Sequence, residues 1–163
     1  MQHRNGYSST QIGLHWIIAI LILFNYIYSD GMGRALRARI EGSPATELEL
    51  NPAIHVWIGV AVLVLTLIRL ALRETRGVPE AGGTGTMQQA AIWGHRLLYL
   101  LMILVPLLGG LTWFGKIGGA GDPHGVLANL LMIVAGGHAV MAIYHQYFIR
   151  DGLMKRMMRA DES

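Results

Sequence analysis

Four stretches of this chain are apolar for the length of a bilayer: Ile12 to Tyr28, Ala53 to Leu72, Ala90 to Phe114 and Gly125 to Phe148. Each approaches or exceeds the ~20 residues with which an α-helix crosses a hydrocarbon core about 30 Å thick. Such segments have few folding options. In lipid every backbone N–H and C=O must find its partner internally, so an isolated apolar run becomes a helix. The expected fold class is all-α, an integral membrane four-helix bundle forming a single transmembrane domain over residues 1–163. With 53% hydrophobic and 14% charged residues and a mean hydropathy of +0.42, the chain is too apolar for an ordinary soluble domain of this size.

The intervening stretches, Ser29 to Pro52, Arg73 to Gln89 and Gly115 to His124, are rich in Gly, Pro and charge, as connections between antiparallel spans should be. Arg4 before the first span resembles the start of a signal peptide, but Tyr28-Ser29-Asp30-Gly31 offers no small-residue cleavage site, so the helix is expected to be retained. Four spans put both termini on one side. That side carries Arg4, Arg69, Arg73, Arg76, Arg96, Arg150, Lys155, Arg156 and Arg159, against Arg34, Arg37, Arg39 and Lys116 on the other. Cytoplasmic loops hold the excess of cations, so both termini are expected to be cytoplasmic. The net charge of +3 forms no groove-facing stripe, which argues against nucleic acid as a partner. Trp16, Trp57, Trp93 and Trp113 lie near span ends, where aromatic belts form.

Six of the seven histidines, all but His3, fall within or at the ends of the spans: His15, His55, His95, His124, His138 and His145. Ionisable groups at that depth are rare and usually functional, although a single one often only bridges two helices. His124 and His138 are fourteen residues apart. At ~100° and ~1.5 Å per residue they share one helix face to within roughly 40° and are separated by about 21 Å along the axis. The antiparallel topology puts His55 at the depth of His124, on the outer side, and His15 at the depth of His138, toward the inner side. Two His–His pairs result. Zinc normally takes four tight ligands, or three and water, and copper sites commonly add sulfur; iron in a porphyrin needs only two axial imidazoles. With no cysteine in the chain, covalent haem attachment and thiolate clusters are excluded. The expectation is two non-covalent b-type haems whose iron ligands are His15, His55, His124 and His138. Gly13, Gly59, Gly109, Gly110, Gly136 and Gly137 lie near these histidines or interrupt the third span after Pro106. Either they leave room for a macrocycle edge or they are ordinary small-residue helix packing.

Gly13-Leu14-His15-Trp16, Asn51-Pro52-Ala53-Ile54-His55 and Trp93-Gly94-His95-Arg96-Leu97-Leu98-Tyr99, together with His124, His138 and His145, resemble the bacterial cytochrome b561 family over about residues 8 to 157. The likeness is nearest to members described as superoxide oxidases. It implies the same four haem ligands, a place in the bacterial inner membrane, superoxide as a small anionic donor at the outer face, and ubiquinone as the acceptor. It also implies that His95 and His145 lie near the quinone. His145 is seven residues beyond His138, hence on about the same face and ~10 Å nearer the cytoplasm. A histidine there can donate both a hydrogen bond and a proton. The lysine that close members carry in the second connection has no counterpart between Arg73 and Gln89.

Arg34, Arg37 and Arg39 in the first outer connection would attract an anion, with Glu41, Glu47 and Glu49 opposing them; alternatively the segment is a short surface helix. Two other functions share the same core. One is a haem-bearing anchor subunit of a larger dehydrogenase or hydrogenase, or a docking partner for a redox protein. The other is a haem-free transporter or scaffold.

Overall fold

Ser8 begins the first helix with a reciprocal cap: its hydroxyl accepts from the Gln11 amide and the Gln11 side chain accepts from the Ser8 amide. Helix α1, Ser9–Ile27, therefore starts a turn before the apolar run does. The computed structural model describes residues 6–42, 51–79 and 85–160. Five further α-helices follow: α2 Met32–Glu41, α3 Pro52–Arg76, α4 Gly85–Trp113, α5 Gly121–Tyr144 and α6 Leu153–Arg156. A 3-10 turn, Gly118–Ala120, leads into α5, and a π-turn, His145–Ile149, follows it. No strand occurs among the described residues.

Asn51 caps α3 by accepting from the Ala53 amide, with Pro52 in the first helical position where its missing N–H costs nothing. α3 outruns its apolar segment and ends on Arg73 and Arg76, cations suited to a helix C-terminus. Its 25 residues give a length of about 37 Å, enough to cross the hydrocarbon and reach both headgroup layers. The turn between α4 and α5 is shorter than the sequence indicates. Gly118, Gly119 and Gly121 coil directly into α5, and Pro123 is tolerated because first-turn amides lack helical partners in any case, so His124 is already helical. The first connection contains α2, the surface-helix alternative; Ala35 is its buried contact, while Arg34, Arg37 and Arg39 are exposed. Arg4, Glu47 and Glu49 lie outside the described residues.

α1 packs on α3, α3 on α4 and α4 on α5. Four helices, α1, α3, α4 and the Gly118–Ile149 unit, are long and apolar enough to span a membrane, yet only 6–11% of their most apolar windows is buried. Ile20, Val140 and Ile133 remain 64%, 64% and 71% exposed. A water-soluble bundle would bury such side chains, whereas lipid solvates them. At one end, which we call the basic end, Gln11 Nε2 donates to the Gly77 carbonyl (3.1 Å) and Trp16 Nε1 to the Met157 carbonyl (3.0 Å). At the opposite, α2 end, Arg39 Nε donates to the Trp113 carbonyl (3.1 Å) with its guanidinium 4.8 Å from the indole centre. Tyr26 OH donates to Asn129 Oδ1 (2.7 Å), tying α1 to α5.

Candidate cofactor site

Two histidine pairs face one another across the bundle. His55 of α3 and His124 of α5 have ring centres 6.2 Å apart near the α2 end; His15 of α1 and His138 of α5 have theirs 6.3 Å apart toward the basic end. An imidazole nitrogen binds a metal ion at about 2 Å and lies roughly 1 Å from its ring centre, so two imidazoles on opposite sides of one iron have centres about 6 Å apart. Both pairs meet that separation. His95 of α4 is also beside His138, but at 5.0 Å the centres are too close for an ion between them. The distances therefore favour His15 over His95 as the axial counterpart of His138.

Backbone carbonyls orient the pair at the α2 end. His55 Nδ1 donates to the Asn25 carbonyl (3.2 Å) and His124 Nδ1 to the Val105 carbonyl (2.9 Å). A carbonyl only accepts, so each Nδ1 carries the hydrogen and each Nε2 keeps its lone pair for a metal. Gly109 makes the second of these bonds possible. Val105 and Gly109 are one turn apart on α4, and a Cβ at Gly109 would stand 3.0 Å from His124 Cε1 and 3.2 Å from its Nδ1. Of the other glycines, Gly13, Gly136 and Gly137 have open space where a Cβ would project, Gly59 meets the Asn25 side chain and Gly110 meets Phe114. The first three leave open space beside His15 and His138, Gly59 packs against α1, and the Gly110 contact stays within its own helix turn.

No group of three or more His, Asp or Glu side chains able to hold a bare metal ion lies among the described residues. The sites come in twos. A family model described as prokaryotic cytochrome b561 matches residues 6–160.

The chain belongs to the prokaryotic cytochrome b561 family.

Cytochrome b562 of Cereibacter sphaeroides is 47% identical over 161 residues, covering 98% of this chain and 99% of its own. "Probable superoxide oxidase CybB" of Yersinia pestis is 29% identical, covering 93% and 95%, and "Cytochrome b561 homolog 1" of Escherichia coli is 26% identical, covering 94% and 97%. No solved structure matches significantly. Membership makes this a membrane haem protein of the b type. The histidine pairs fit that group in number of ligands, separation and, at the α2 end, tautomer.

At the basic end, spacing arguments missed two residues. Arg69 of α3 lies within a span, its Nη1 donating to the Gln11 carbonyl (2.6 Å) and its Nε to the Tyr99 hydroxyl (3.0 Å). Gln11 is one turn before His15, so the guanidinium sits a turn from the His15–His138 pair. Asp151 is the other. Its Oδ2 accepts from His145 Nδ1 at 2.5 Å and its Oδ1 from the Leu153 amide at 3.1 Å. Partial burial pushes the Asp151 carboxyl up, but the hydrogen bonds from His145 and Leu153 outweigh it and leave the group below the usual carboxylate range. His95 and His145 do not pair with each other: His95 Nδ1 donates to the Ala91 carbonyl of its own helix (2.7 Å), and its ring turns to His138.

Proposed function

We propose that this protein is a di-haem b-type cytochrome of the bacterial inner membrane that carries electrons from an outer-face donor, superoxide, to ubiquinone. The observation that carries the reading is the pair of 6.2 and 6.3 Å imidazole separations, one toward each end of the same bundle. When bound between two imidazoles, haem would supply one-electron transfer with little rearrangement. His55 and His124 would hold one group near the α2 end; His15 and His138 would hold the other, with the Arg69 guanidinium a turn away as a fixed positive charge. The whole chain acts as one transmembrane unit. Its basic end faces the cytoplasm, in keeping with Arg69, Arg73, Arg76, Arg96, Arg150, Lys155, Arg156 and Arg159 at that end.

The reaction consumes two superoxide ions, one quinone and two protons and yields two dioxygen molecules and one quinol. The protein's own chemistry is confined to binding, orientation and proton supply. Arg34, Arg37 and Arg39 attract the anionic donor to the α2 end, and His95 and His145 bind the quinone at the basic end and supply protons. The relative named a superoxide oxidase supports the donor, at 29% identity; the name of the 47% identical relative specifies none.

The test is a haem-to-protein ratio and a reduced-minus-oxidised spectrum of the purified chain, followed by superoxide-dependent ubiquinone reduction. A ratio near two is expected, with His124→Leu and His138→Leu each removing a different haem. A ratio near one, or either variant retaining both haems, overturns the pairing. Quinone reduction that requires a second subunit overturns the stand-alone enzyme.

A further inference from the structure

We propose that Asp151 is a positioning residue that holds His145 as the proton donor to the quinone; this rests on the quinone reading above. His145 is 7% exposed, one of the few buried polar residues among those described. Its Nδ1–H points at Asp151 Oδ2, which leaves Nε2 on the opposite edge of the ring, turned away from the carboxylate.

The backbone is built to make this contact. On a continued α-helix, six residues turn about 600° and rise about 9 Å, which would carry Asp151 well round the helix from His145. Instead α5 loosens into the π-turn His145–Ile149, a form that recurs at functional sites, and the Arg150 amide closes on the His145 carbonyl at 2.7 Å. Arg150 then adopts φ 59° and Gly152 φ 75°. A left-handed arginine persists only where the surroundings hold it there. The hairpin returns the carboxylate to the imidazole, and the second carboxylate oxygen caps α6 at Leu153. The carboxylate is also the wetter partner, its side chain 25% exposed against 9% for that of His145. The pair thus runs from a carboxylate that meets water to a largely buried imidazole.

As the imidazolium, His145 carries a second, transferable proton on Nε2 while its Nδ1–H stays bonded to the carboxylate. As electrons from the one-electron donor reach the quinone and charge builds on its carbonyl oxygen, the Nε2–H bond breaks and an O–H bond forms. The N–H electron pair stays on Nε2, and Nδ1–H remains bonded to Asp151. Water at the basic end returns a proton to Nε2, and the quinone's second oxygen, on the opposite side of its ring and out of reach of the same Nε2, takes its proton from water at that end.

Asp151→Asn keeps the Oδ1 acceptor for Leu153 but puts an NH2 against Nδ1, so the imidazolium loses its partner. Pre-reduced protein is mixed with a short-chain ubiquinone, and haem oxidation is followed by stopped flow over a range of quinone concentrations, which makes the readout independent of the donor. The saturating rate is expected to fall by about 10- to 100-fold with little change in the half-saturating concentration and a larger solvent deuterium effect, Asp151→Glu recovering part of the loss. Haem content and spectrum should stay as in the parent. Parent rates in Asp151→Asn beside an impaired His145→Ala overturn the positioning role alone. So do equal losses in Asp151→Asn and Asp151→Glu accompanied by loss of haem. Parent rates in His145→Ala overturn the quinone site itself.

Discussion

The two histidines at the α2 end are set by backbone carbonyls, groups that have no redox chemistry of their own. Gly109 matters to one of them. The sequence places it after Pro106 and leaves two readings open, a macrocycle edge or helix packing; in the structure it admits the ring of His124 to the Val105 carbonyl. That ring cannot recede without losing its bond, so a methyl group at this position meets a fixed obstacle. Gly109→Ala is expected to destabilise the fold by about 1–3 kcal/mol through overpacking. It should also displace His124 and lower the haem-to-protein ratio from two toward one, whereas Gly110→Ala, which meets the edge of Phe114 at 3.9 Å, should leave the ratio unchanged. Equal haem content in the two variants would contradict the role given to Gly109. At the same scale, the 5.0 Å approach of His95 to His138 leaves no room for an ion between the rings, whereas the 6.3 Å separation of His15 and His138 does, a distinction that residue type alone does not make.

At the scale of elements, the apolar runs mark the helices but not their ends. α1 begins at Ser9 because Ser8 and Gln11 cap it, and α5 begins at Gly121 because a glycine-rich turn can coil into it; neither cause is hydrophobic. α2 is a different sort of element. It lies across the α2 end of the bundle on Ala35, with Leu36 beside Gly121 and Ile40 beside Gly118, and presents three arginines to solvent. Arg39 is tethered to Trp113, while Glu41 lies close along the same helix, so the field is reduced but held in place. Replacing Arg34, Arg37 and Arg39 by Gln should lower the superoxide-dependent rate roughly threefold to tenfold at low ionic strength and flatten its salt dependence. Identical salt slopes in parent and variant would remove steering and leave α2 as a surface helix only.

For the molecule as a whole, the orientation proposed from the cation distribution makes a direct prediction. The chain has no cysteine, so single thiols report cleanly. An impermeant maleimide should label Ile117→Cys, in the turn between α4 and α5, from outside intact cells, and Arg159→Cys only after permeabilisation; the reverse pattern would invert the topology. The sequence by itself determined the four spans, the all-helical class and two histidines stacked on one face of α5. Hydropathy over twenty residues, a 3.6-residue period and the alternation of antiparallel segments are local or additive properties, and a list of residues preserves them. Only the tertiary structure decided that His124 is seated against Gly109 and Val105, that Arg69 bonds to Gln11 and Tyr99, and that Asp151 meets His145. The first two join segments from different helices. The third depends on two left-handed residues and a π-turn that break the helical period, and periodicity extrapolated past Tyr144 would have placed the carboxylate away from the imidazole.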